Sequence, residues 1–178
     1  MASLRSERGT TVIELSLVAG LLVVILGGVL SVYESGMRVE KEAEVRGVAL
    51  EDMRFAMARV TKDMRQAISI SASSTTSRLE MQTLVNGANH RVVYELVGGE
   101  LRRGAAAGTS APSTTTAILK RVVNDKPFCY DPPDCTDLAP EPGLDMIRLQ
   151  VHSKPASNTA RKLEMATDIS LRNNPPVR

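Results

Sequence analysis

Between Glu14 and Glu34 the chain carries no charge, and the segment reads LSLVAGLLVVILGGVLSVY. As a helix, such a run is long enough to cross a hydrocarbon core of about 30 Å. Past Tyr33 the sequence turns polar while keeping a helical period. Leu50, Met53, Met57, Val60, Met64, Ala67 and Ile68 recur at steps of three and four, with Arg54, Arg59, Lys62, Asp63 and Arg65 between them. This pattern predicts an amphipathic continuation of the same helix to about Ile68, within an outer segment 34–72 that ends in the helix-poor run SASSTTS. The methionines of the stripe read as core filler, since Met fits irregular gaps where aromatics are scarce.

From Arg78 the period becomes two. Leu79, Met81, Thr83 and Val85 alternate, NGAN marks a turn, HRVVYEL returns, and Gly98 and Gly99 turn the chain again into ELRR. The run GAAAGTSAPSTTT, 104–116, reads as a low-complexity loop, and AILKRVV, 117–123, as a fourth strand. An irregular loop is expected over 124–143. A closing hairpin follows, with Ile147, Leu149 and Val151 facing Leu163, Met165, Thr167, Ile169 and Leu171 across SKPASNTARK. A helix followed by antiparallel strands argues for an α+β fold, with a β-rich body over 73–178 packed on the amphipathic stripe.

Composition narrows the function. Only 3% of the residues are aromatic and none is Trp, so a large aromatic-lined pocket is not expected. No G-x-S-x-G, Walker loop or H-E-x-x-H occurs, so an enzyme is not expected either, nor a cofactor. The net charge of +2 leaves nucleic acid a poorly supported partner. Arg5 and Arg8 precede the apolar run, which by the positive-inside tendency places the amino terminus in the cytoplasm and the β-rich body outside it.

A secretory signal peptide would have a shorter apolar core and a small-residue cleavage site, which LSVYESGM does not offer. A plain single-pass anchor, holding an uncut extracytoplasmic binding domain, fits the length and the flanks. It leaves Glu14 unexplained, because an ionisable group at a membrane helix is costly and tends to be functional.

The residues RGTTVIEL, 8–15, followed by the apolar helix, resemble the processing signal of the type IV pilin and pseudopilin family. The resemblance implies a leader over 1–9, cleavage by prepilin peptidase after Gly9, methylation of the new amino terminus at Thr10, and a filament-core helix over 10–33. Thr10 departs from the Phe usual at that position. The resemblance further implies a minor pilin or pseudopilin in a type IV pilus, a competence pseudopilus or a type II secretion pseudopilus. Its partners would be other pilin or pseudopilin subunits, the peptidase and an inner-membrane assembly platform. Glu14 matches the family glutamate, which would neutralise the cut amine of a neighbouring subunit. Snorkelling to the headgroups, or pairing with its own amine, stays open as an alternative. RFAMARVTKDMRQAISI and DISLRNN are loosely similar to W-type minor pilins and J-type minor pseudopilins. Gly27 and Gly28 mark either a loosening point for filament entry or a site of close helix packing.

Cys129 and Cys135 bracket YDPPD. On an oxidising side of the membrane a disulfide is the natural reading; free thiols and a metal pair are the alternatives. A zinc site would have to recruit His90 and His152, and nothing in the spacing supports it, so both histidines read as structural. Asp131, Asp134 and Asp137, with Glu141 and Asp145 beyond, supply oxygen ligands of the kind calcium takes, but no EF-hand pattern is present, and a solvated acidic loop is the plainer reading.

Overall fold

In a computed structural model that describes residues 11–85, 87–130, 132, 134–136, 139–142, 144–156, 161–171 and 177, the chain is α+β. One long helix, apolar in its amino-terminal part, precedes an antiparallel sheet of five strands and a smaller antiparallel sheet of three. The helix, α1, covers Val12–Arg65. Two units divide the chain, Met1–Ala43 and Glu44–Arg178.

In the first unit every described side chain of α1 is exposed, including the large apolar ones from Val12 to Val39. The most apolar window of the helix has a mean hydropathy of 2.6 and none of it is buried. Such a helix fits a single-pass membrane anchor.

In the second unit α1 buries Met53, Ala56, Met57, Val60, Asp63 and Met64, the expected stripe with one addition. Asp63, expected on a solvated face, is only 4% exposed, because it has buried partners in the sheet. The helix also stops at Arg65, short of the expected Ile68. Residues Ala67–Ile70 form a strand, β1, with a register shift between Ala67 and Ser69. A bulge inserts one extra residue, so that the two inward positions, Ala67 and Ile70, lie three apart instead of two. The expected stripe takes in Ala67 and Ile68 at helical steps from Met64, but in β1 Ile68 is exposed and the inward position is Ile70.

The larger sheet continues with β2 (Arg78–Val85), β3 (Ala88–Val97), β4 (Glu100–Ala107) and β5 (Thr116–Leu119), in the order β1-β2-β3-β4-β5. The meander through β2, β3 and β4 is the expected one. Gly98 and Gly99 turn β3 into β4 with φ of 58° and 76°, values that side chains with a Cβ rarely adopt. β4 runs four residues further than expected, into the segment read as loop, because Gly104 to Ala107 pair with Val93 to His90. Only Gly fits at 104. A Cβ there would lie 2.8 Å from Cβ of Pro112, where the following connection folds back over the strand.

β5 begins one residue early and ends at Leu119 instead of reaching Val123. Arg121, at φ 62°, breaks the extended run, and Val122 bridges Ser153 of the second sheet. That sheet has the order β6-β7-β8, with β6 (Phe128–Cys129) lying inside the expected loop and β7 (Met146–Ser153) and β8 (Leu163–Ser170) forming the expected hairpin. Ile147 pairs with Ile169, Leu149 with Thr167 and Val151 with Met165. Tyr94, Leu101, Phe128, Ile147, Leu149 and Ile169 are almost fully buried and share one core with the Met stripe of α1.

Candidate functional site

The first turn of α1 has its own chemistry. Thr11 precedes the helix, and its Oγ1 accepts a hydrogen bond from the backbone N–H of Glu14 at 3.4 Å, while its carbonyl accepts one from Leu15 at 3.2 Å. Thr11 and Glu14 thus hold the first and last positions of a T-x-x-E capping sequence, in which the threonine satisfies a donor that the helix leaves open. An acid in the first turn also faces the positive end of the helix. Glu14 is exposed. Its proposed partner, the amine created at Thr10, lies with Gly9 outside the described residues.

Cys129 and Cys135 form a disulfide, with Cα atoms 4.9 Å apart. The ring it closes is held to the larger sheet by Tyr130, whose buried hydroxyl donates to the carbonyl of Thr75 at 2.9 Å. Burial raises the pKa of that hydroxyl above its ordinary range. One residue before the ring, the N–H of Phe128 donates to the carbonyl of Thr76 at 3.0 Å. Of the acidic positions considered for calcium, Asp131 and Asp137 lie outside the described residues, while Asp134, Glu141 and Asp145 are exposed. Among the described residues no group of three or more His, Cys, Asp or Glu is placed to hold a metal ion. His90 sits in β3 and His152 in β7, where the backbone N–H of His152 donates to Asn124 Oδ1 at 2.8 Å.

The most developed polar cluster is one that the periodicity misplaced. Oδ2 of Asp63 accepts from Tyr94 Oη at 2.7 Å and from Arg103 Nε at 2.8 Å, and Arg103 Nε also lies 3.2 Å from Tyr94 Oη. Thr83 Oγ1 donates to the backbone carbonyl of Asp63 at 3.1 Å. The last turns of α1 are thereby bound to β2, β3 and β4 at once.

Burial first, and then the charge and hydrogen bond of Asp63, raise the pKa of Tyr94 above its ordinary range. At Arg103 burial works against the charge, but the hydrogen bond and charge of Asp63 prevail and raise its pKa. The cluster holds the helix to the sheet. A second buried acid, Glu80, is paired with Arg91 and Arg78 on β2 and β3. An Asp flanked by stripe residues, with Tyr and Arg in neighbouring strands, is the only trace that the Asp63 cluster leaves in the sequence.

No protein-family model matches the chain. No curated protein matches it either.

Proposed function

We propose that the chain is a prepilin-like minor subunit, inserted with its amino terminus in the cytoplasm, cut after Gly9, and built into a type IV pilus, a competence pseudopilus or a type II secretion pseudopilus. The observation that carries this reading is the make-up of α1. An uncharged, fully exposed apolar run starts one residue after Glu14, and the same helix then buries a Met-rich stripe against antiparallel sheet.

An apolar helix with no partner among the described residues needs either lipid or other helices around it. A filament subunit uses the first before assembly and the second after it. In this reading the work is mechanical, the β-rich body faces outward, and no cofactor takes part.

The place of Glu14 in the first turn of α1 favours a second reading, an uncut anchor holding an extracytoplasmic binding domain, because a carboxylate beside the positive end of a helix has a purely local task. The two readings part on Glu14→Ala. Pairing with a neighbour's amine predicts that the variant is still cleaved but enters filaments poorly, measured as the ratio of filament-associated to membrane-associated protein. Normal incorporation would leave Glu14 with the local task alone.

A further inference from the structure

The smaller sheet ends at β8, and among the described residues no strand pairs with the outer side of β8. An unpaired edge presents alternating N–H and C=O groups ready for another strand. Along this edge lies a cavity of about 630 Å³, lined on one side by Met165, Ala166 and Thr167 and on the other by α1 residues that include Met57, Lys62 and Arg65. Successive side chains of a strand point to opposite faces, so three consecutive residues line one cavity only along the backbone edge. The α1 positions involved, 57, 58, 61, 62 and 65, form one face of the helix about 12 Å long, and Gln66 just past its end completes that side. A cleft between a helix face and a strand edge is a geometry in which an extended peptide adds to a sheet.

The lining specifies the occupant. Met57 and the half-buried Met165 give an apolar floor. Lys62 and Arg65 are exposed, and none of the ion pairs among the described residues includes either of them.

We propose that the cleft between β8 and α1 docks an extended acidic segment of another protein, which adds to the edge of β8 with apolar side chains on the methionines and carboxylates toward Lys62 and Arg65. A second copy of this chain is a poor donor. Its own acidic stretch, 131–145, contains Pro132, Pro133, Pro140 and Pro142, and proline cannot supply the N–H that a ladder needs. The proposal is independent of cleavage at Gly9.

The test uses the full chain in detergent micelles with an acetylated heptapeptide that alternates valine and glutamate. Backbone amide exchange and a binding titration are read together. We expect saturable binding, slowed exchange across Leu163–Ser170, and an affinity loss of about tenfold or more in the double variant Lys62→Glu, Arg65→Glu.

Basic residues in the last helical turn also suit the helix terminus, so a peptide of the same charge with proline at its centre serves as the control on an unaltered protein. That peptide should bind poorly. Equal binding of the two peptides, protection away from β8, or no saturable binding up to about 1 mM would overturn the proposal. Protection of β8 by self-association in the absence of peptide would assign the cleft to a second copy, and so overturn the proposed occupant.

Discussion

Asp63 shows how one side chain can join distant parts of a chain. It stands between Lys62 and Met64 on α1, yet its carboxylate binds Tyr94 of β3 and Arg103 of β4. Periodicity placed it in solvent because a charge between stripe positions is usually solvated. Its actual burial depends on partners 31 and 40 residues away, which no local pattern reports.

A pH effect follows from Tyr94. Unfolded tyrosine loses its proton near pH 10, whereas burial and then Asp63 hold the proton in the folded chain to higher pH. Above about pH 10 the folded state therefore binds more protons than the unfolded one, so this contribution is whole below that pH and falls as pH rises toward the folded value. Tyr130, raised by burial, acts in the same direction. Tyr94→Phe should cost about 1–2 kcal/mol at neutral pH through the lost hydrogen bond, and should flatten without abolishing the alkaline decline in stability. Denaturation of the two proteins across alkaline pH checks both parts, and equal slopes would show that Tyr94 does not carry the effect.

At the scale of elements, alternation located β2, β3, β7 and β8 closely, because each has one face in the core. It missed β1, whose first two residues read as the end of the helical stripe, and the end of β4, where Gly104 and three alanines carry no apolar signal. It was also silent on the division into two sheets, because the period of a strand says which face is buried but not which strand lies beside it.

The disulfide was legible from its spacing and expected compartment, and the role of Tyr130 in fixing its loop to the turn before β2 was not. Closing so short a loop restricts the unfolded chain by an amount on the order of 2 kcal/mol. Reduction of Cys129–Cys135 should therefore lower stability by about that much, checked by denaturation with and without reductant.

Gly27 and Gly28 belong to the same scale. A Cβ at either would meet no atom within 4 Å, so nothing among the described residues requires glycine there. Replacing both with Ala should favour the helix by about 1 kcal/mol per site. If the pair serves as a loosening point, filament incorporation should fall even so; unchanged incorporation would remove that role.

The chain carries a helix whose apolar part is exposed among the described residues, followed by a β-rich body with a well-formed core. Hydropathy made the helix legible, and it fits a single-pass anchor. The proposed step from anchor to filament subunit rests on three residues, Gly9, Thr10 and Glu14, whose proposed meaning lies in a processing event and in neighbouring subunits. The fold of a single chain carries neither. Of the three, only Glu14 is among the described residues, and there it sits in the first turn of α1, exposed and with its N–H capped by Thr11.

The most direct measurement is therefore the mass of the mature amino-terminal peptide, from cells with an active prepilin peptidase and from cells lacking it. The account predicts a chain that begins at Thr10 in the first and at Met1, or at Ala2 after removal of the initiator, in the second. A chain that keeps residues 1–9 in both would contradict it and leave an uncut membrane anchor.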